Sequence, residues 1–465
     1  MLQTNAKTGQ RLARDGFFAI PDPDPVKMQD RGLQTRAAYP ATFVPCRDSN
    51  DPALTPCHTD PVPDPVTRRY RLCRTGYEGF KCSKCAPSYF HTPSGVCHEC
   101  PDSMAQKTLF AIAYTVAVAG IVLWSMLSAT SSGCVKVLAL FLQFLGALDP
   151  PQPSALRLFA RGGSQLASLE APGAECYVAD WSFRQQFAMA MLGPLALAFL
   201  VTALYVVGRC VQAFLARRRG YEAAGNRAAV TRAWNERCSR SLMFLLSLQF
   251  FGFVGATLVP LACESFPDPV GSRLKEMPSE KCSGTTQIIA AMGLVVYGFG
   301  APLLVAWIAK RTRSTAFDQF HESYRPGAKY WEVVLTCRRI VFLVMSTVVP
   351  YESAFRVMSQ GLLLLGSAAW HVFVQPFVSS VENGCEMVSF VLLVLNLLLS
   401  SSGRSSGVSQ GSIEAISVVL FCMNGVFVTV LVLRIAWMLG PVEWIRRRLY
   451  AAWGSRMPLK EVVDA

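Results

Sequence analysis

Residues 73–85 read CRTGYEGFKCSKC, and the run continues APSYFHTPSGVCHEC to Cys100. Its five cysteines fall at C-x8-C-x2-C-x11-C-x2-C, and one apolar run after another follows from Ser103 onward. Cysteines at this density staple small modules in oxidising compartments. Apolar runs of such length belong in lipid. The order implies an all-α polytopic membrane bundle of about nine transmembrane helices, with a small disulfide-rich extracellular module before it.

Composition supports that class. The 465 residues are 52% hydrophobic and 16% charged, against about 25% charged in soluble domains. The net charge of +13 raises nucleic acid as a partner, but the basic residues cluster between apolar runs, where membrane topology explains them. Four segments result: a disordered Pro/Asp-rich stretch over 1–68, with PDPDPV at 21–26 and DPVPDPV at 60–66; the module over 69–102; the bundle over 103–439; and a short basic cytoplasmic tail over 440–465. The opening MLQTNAKTGQRLARDGFF lacks the apolar core of a leader. A lone cassette of this kind usually belongs to a series, so the chain is expected to be the carboxyl end of a longer protein.

A helix needs about 20 residues to cross the hydrocarbon. Strong candidates are 109–130, 186–207, 241–262, 288–309, 357–375 and 413–439, and 386–401 is short but nearly pure Val, Leu and Phe. Two candidates are weak: 134–148, which carries Lys136, and 340–349. The connection 208–240 holds Arg209, Arg217, Arg218, Arg219, Arg227, Arg232, Arg237 and Arg240 against two glutamates, so it stays cytoplasmic. Parity then puts the module and the amino end outside, and the clusters at 310–313 and 446–448 inside. A plasma-membrane protein with a cytoplasmic carboxyl end is expected.

The second weak crossing is the most informative. A spanning helix that ends near Pro350 must begin around Trp331, which puts Arg338 and Arg339 well inside the membrane. A charge there costs about 2.5–3.5 kcal/mol on insertion scales unless it meets a partner or water. Glu332, Glu382 and Glu386 are the candidate partners. The alternative is that both arginines snorkel to the headgroups. Glu332 also reads as part of a mixed-charge solvated segment with Asp318 and Glu322.

Ten cysteines fall in segments assigned outside: Cys46, Cys57, Cys73, Cys82, Cys85, Cys97, Cys100, Cys176, Cys263 and Cys282. A bridge from Cys263 to Cys282 closes a hairpin between adjacent crossings and contributes about 3 kcal/mol by loop closure. Cys82-x2-Cys85 with Cys97-x2-Cys100 also has the ligand spacing of a zinc knuckle; the outside placement and Cys73 favour disulfides. The remaining six read as reduced, small apolar residues.

The run CRTGYEGFKC (73–82) resembles the second half of an EGF-like or laminin-type module, and with its continuation the whole looks like an ephrin-receptor-like cysteine repeat. The resemblance implies pairs Cys73–Cys82 and Cys85–Cys97. Cys100 is left to Cys176 or an upstream cysteine, and Cys46 to Cys57. In the bundle, VKVLALFLQFLGAL (135–148), Glu175-Cys176, YRPGAKYWEVVLTCRR (324–339), then QPF with Asn383 and Glu386 resemble, in that order, the carboxyl-terminal module of the transient-receptor-potential-like proteins of fungi, algae and protists. This resemblance implies a cation channel or a carrier-type protein, with inorganic cations and other copies of the chain as partners.

One departure matters. Cation pores generally present acidic rings or carbonyl filters, yet SGRSSGVSQGS (402–412) before the last crossing is short and carries Arg404 with no acid. The loop between Cys263 and Cys282 holds Glu264, Asp268, Glu276 and Glu280, offset by Arg273, Lys275 and Lys281. Gln143, Gln249, Gln360, His371, Asn396 and Asn424 read as packing glue between helices, with His371 and Gln375 as interfacial anchors. Gly293, Gly298 and Gly300 before Pro302 mark a crossing able to bend or to approach a neighbour. Five scattered histidines and the lack of a phosphate loop, dinucleotide fingerprint or nucleophile elbow exclude the familiar catalytic classes; no enzyme activity, cofactor or metal is expected. Two functions remain: a cation pathway regulated through the ectodomain, with an extracellular ligand, or an adhesive or sensing surface protein that conducts nothing.

Overall fold

A backbone removed from water must bond its own polar groups, so long apolar runs become helices. In the computed structural model the described residues are chiefly 70–91, 97–101, 103–127, 133–148, 155–168, 176–177, 182–218, 224–266, 271–300, 302–303, 306–307, 323–328, 330–349, 353–402 and 410–439, together with short strands before residue 64. Among the described residues ten named α-helices follow the module: α1 (Met104–Leu127), α2 (Gly133–Leu148), α3 (Ala155–Ser168), α4 (Phe183–Arg218), α5 (Ala224–Leu258), α6 (Gly284–Gly293), α7 (Trp331–Val348), α8 (Ala354–Val374), α9 (Ser380–Ser402) and α10 (Gln410–Leu439). The sequence expectations for the tail 440–465, for Arg404 and for Asp268 lie outside the described residues.

Among the described residues five helices, α4, α5, α8, α9 and α10, are long and apolar enough to cross a membrane. The other positions expected to cross are helical but shorter or less apolar: α1 has an apolar stretch Ala111–Val122, α2 has 16 residues, and Gly284–Phe299 spans α6 and its continuation. α7 carries two arginines mid-helix. The reason is positional. Most residues of α2 and α7 are buried among other helices, so neither has to present a lipid-compatible surface. α8 shows the opposite face: Phe355, Met358, Leu362, Leu365, Trp370 and Phe373 are exposed, Phe373 by 87%. An apolar surface of that extent suits a bilayer or a partner, not water.

The core sits around α2. Phe144 packs edge-on to Phe251 of α5 and Phe342 of α7, and Phe141 packs edge-on to Phe427 of α10. Polar side chains hold neighbouring helices together. Gln143 donates to the Leu248 carbonyl at 2.9 Å, Gln360 donates to Ser346 at 2.9 Å, and Asn396 and Asn424 exchange two amide hydrogen bonds of 3.0 Å. Ser125 of α1 bonds Ser241 of α5.

Three features depart from the sequence reading. α3 has no counterpart in it, although Leu156, Phe159, Ala160 and Gly163 recur at helical spacing; Leu156 and Ala160 are fully buried, and Phe159 meets Phe421. The hairpin of α2 and α3 closes tightly because any side chain at Gly146 would collide with Ser164. α6 does not continue as α-helix past Gly293 but widens into a π-helix over Leu294–Phe299, where Gly293 approaches Thr257 and Met191. The stretch 1–68, expected to be disordered, contains antiparallel strand pairs: Leu2–Thr4 with Arg11–Ala13, Phe17–Pro21 with Pro40–Pro45, and Cys57–Pro63 with Tyr70–Cys73. Short pairs between proline breaks satisfy backbone groups that a bare linker leaves to water.

The Asn396–Asn424 pair gives a direct test. Asn396→Leu strands the Asn424 amide and is expected to cost about 1 kcal/mol, read as a lowered thermal midpoint in detergent. Replacing both by leucine is expected to cost less than the sum of the two single changes.

Candidate functional site: a buried charge network

Three cations, Lys136, Arg338 and Arg339, and two carboxylates, Glu332 and Glu386, converge where α2, α7, α8 and α9 meet. Lys136 of α2 places its Nζ 3.3 Å from Glu332 Oε2 of α7. Tyr324 donates to the same oxygen at 2.8 Å, and Ser247 of α5 donates to Oε1 at 3.5 Å. Arg339 donates to the Ser247 carbonyl and hydroxyl at 3.2 and 3.1 Å. One residue back, Arg338 Nη2 reaches Glu386 Oε1 of α9 at 3.1 Å, its guanidinium held between the rings of Phe144 and Phe390. Lys136 similarly lies over the Tyr324 ring. Arg338 and Arg339 are 7% and 3% exposed, Glu332 4% and Glu386 1%. Removed from water, such charges persist only in opposite-sign pairs with further hydrogen bonds.

The sequence placed several of these residues elsewhere. The arginines turn inward and do not snorkel. Glu332 is not solvated, because the first turn of α7 faces α2 rather than water. His371 is not an interfacial anchor: it is 1% exposed, its Nε2 lies 3.3 Å from the Asn383 carbonyl, and its Nδ1 lies 3.6 Å from Glu386 Oε2. Those two facing atoms make no hydrogen bond. Glu382 does not serve the arginines. It accepts the backbone N–H groups of Gly133 and Cys134 at the start of α2, where a carboxylate meets the positive end of the helix dipole. A side chain at position 133 would collide with that carboxylate. Sequence reading noted Lys136 only as a weakness of its crossing, quoted Tyr324 only as the start of a longer motif, and missed Ser247.

Asn383 fixes the turn before α9. Its side chain donates to the Phe377 carbonyl at 2.9 Å and accepts the Phe377 N–H at 3.1 Å. Arg325 N–H donates to the Pro376 carbonyl at 2.7 Å, so the lead-in to α7 is tied to the end of α8.

At the other end stands the cysteine module. Its bonds are Cys73–Cys82 and Cys85–Cys97, with Cys100–Cys176 to the segment before α4 and Cys263–Cys282 across the hairpin between α5 and α6. All four cysteines of the zinc-like spacing are consumed in these bonds. Cys46 lies outside the described residues, and Cys57 is described only in its backbone. Gly79, at φ 80°, puts backbone where no side chain fits, against Ser279 of the hairpin. Around it, Ser279 N–H donates to Ser83 Oγ at 3.0 Å, Phe80 packs edge-on to Phe266, Arg273 covers Phe80, and Lys81 lies over Phe266, 4.0 Å from Glu264. The hairpin in turn reaches α7: Lys275 donates to the carbonyls of Thr347 and Val348, both at 3.0 Å. Burial, then the nearby Arg356 guanidinium, pulls the Lys275 ammonium below its ordinary pKa, against the opposing pull of Glu276 and Glu264.

No protein-family model matches this chain, and no curated protein or solved structure does either.

Arg338→Met leaves Glu386 buried without its cation, a loss expected to cost about 3–5 kcal/mol. Pairing it with Glu386→Leu is expected to recover most of that. Thermal unfolding of the two variants in detergent measures the difference, and equal losses would mean that the ion pair carries no weight.

Proposed function

We propose that the chain is a multi-pass membrane protein of the transient-receptor-potential-like kind, in which an EGF/laminin-like outer module controls a pathway for inorganic cations. It crosses the bilayer nine times, through α1, α2 and α4 to α10, with the amino end outside and the carboxyl end in the cytoplasm. Contacts at the helix ends support this count. Cys100–Cys176 joins the starts of α1 and α4, Cys263–Cys282 joins the end of α5 to the start of α6, and Lys275 caps the end of α7. At the opposite end, Glu382 before the middle of α9 meets the start of α2. Helices that alternate in direction satisfy all of these, and put the arginine-rich connection between α4 and α5 away from the disulfides, as the positive-inside rule requires.

The observation that carries the channel reading is the unbroken line of contact from module to hairpin to α7. A displacement of the module is felt at the end of the helix whose middle holds Arg338 and Arg339. A bundle that only anchored an adhesive module would gain nothing from this connection. Arg338 pairs with Glu386 and Asn396 with Asn424 within one chain, so on this reading the passage lies between copies of the chain rather than through the centre of one. That same pairing favours the second reading, a non-conducting surface protein with a rigid anchor.

Two measurements test this. Current recording in planar bilayers is expected to show cation currents that change several-fold when Lys275→Met uncouples the hairpin from α7. Bilayers that stay silent across voltages and cations, with inserted protein verified, would move the assignment to the surface protein. For topology, Asn226→Cys is expected to resist an impermeant maleimide on intact cells and to react after permeabilisation.

A further inference from the structure

Far from the disulfides, two more sulfurs meet. Cys134 stands in the first turn of α2 and Cys385 in the second turn of α9, and their side chains are in hydrogen-bond contact. Cys134 is 1% exposed and Cys385 half-buried. The contact is held in place by the neighbouring Glu382, which bonds the backbone of Gly133 and Cys134 and so fixes one helix start against the other. Neither sulfur is in a disulfide, although each of the described pairs at the module end is. Among the described residues no group of three metal-ligating side chains forms. The sequence reading of both as inert apolar residues does not account for two thiols brought together by separate helices.

We propose that Cys134 and Cys385 are a reversible dithiol–disulfide site whose co-substrate is a peroxide. Cys385 is the accessible partner and reacts first. Its thiolate attacks one peroxide oxygen, the O–O bond breaks, the other oxygen leaves as hydroxide, and the sulfur becomes a sulfenic acid. The Cys134 sulfur then bonds to the Cys385 sulfur, its proton goes to the departing hydroxide, and water leaves. Sulfur is oxidised and peroxide reduced; a dithiol reductant returns both thiols by exchange. The bond locks the start of α2 to α9 between Lys136 and Glu386, which hold opposite sides of the charge network. Oxidation thereby fixes the spacing of the helices that carry it. The chemistry does not depend on which side of the membrane the site faces. Its placement in the reducing cytoplasm, where the thiols persist until oxidant arrives, rests on the topology proposed above.

The test uses the full chain in detergent with Cys210→Ser, Cys337→Ser and Cys422→Ser, treated with hydrogen peroxide, quenched in acid and alkylated with N-ethylmaleimide before peptide mass spectrometry. The expected result is loss of both alkylated peptides and gain of a linked pair, at the sum of their masses less two hydrogens, reversed by dithiothreitol. Cys385→Ala and Cys134→Ala are each expected to abolish the linked pair. Recovery of both peptides as maleimide adducts after peroxide, and again after diamide, from protein that elutes unchanged, would overturn the proposal. On intact cells a membrane-impermeant oxidant is expected to leave both thiols alone. If it links them, the site stands and the proposed orientation falls.

Discussion

A guanidinium cannot remain among aromatic rings without an anion, and that requirement organises the bundle. Arg338 lies between Phe144 and Phe390 with Glu386 as its counter-ion. Coulomb attraction at this distance is many times stronger in a poorly polarisable interior than in water. The cost of leaving either partner alone is correspondingly high. α2 supplies the ring beside Arg338, α7 the cation, and α9 the anion and the second ring. None of these helices can shift along another by a turn without stranding a charge. Lys136 with Glu332 adds a second ion pair between α2 and α7, and the bonds of Arg339 to Ser247 tie α7 to α5. Apolar packing drives helices together with little regard for register; the ion pairs select the register.

The disulfide end achieves the same fixity by other means. Small modules with little core rely on covalent staples, and here the staples are supplemented by a fitted surface. Ser83, Phe80 and Lys81 meet the hairpin between Cys263 and Cys282, and Lys275 carries the contact to the last carbonyls of α7. A lysine at a helix carboxyl end satisfies acceptors that have no intrahelical donor.

How much of this could be read from the sequence depended on where each helix sits. α4, α8 and α10 face outward for much of their length, and an outward face must be apolar, so hydropathy finds them. α2 and α7 are surrounded by protein. Their polar residues are matched by neighbours, and the hydropathy signal that would announce them is diluted by Lys136, Arg338 and Arg339. α3 was hidden for a related reason: Arg157, Arg161, Ser164 and Gln165 break up its apolar residues in the sequence. Candidate partners for the arginines could be named from sequence, because few carboxylates lie at the right depth. The assignment of Glu386 to Arg338, and of Glu382 to a helix start, required the crossing geometry. His371 looked like an anchor because its position along α8 is near an end; that the chain turns back at Phe377 and covers it is a tertiary fact.

The Cys100–Cys176 bond closes a covalent ring that contains α1, α2 and α3. A tether pulling on the amino-terminal side therefore loads two helices at once, α1 through the chain and α4 through the sulfur bridge. Tension is shared between two helices instead of falling on a single segment, and the part of the bundle that holds the charges stays anchored while the module is strained.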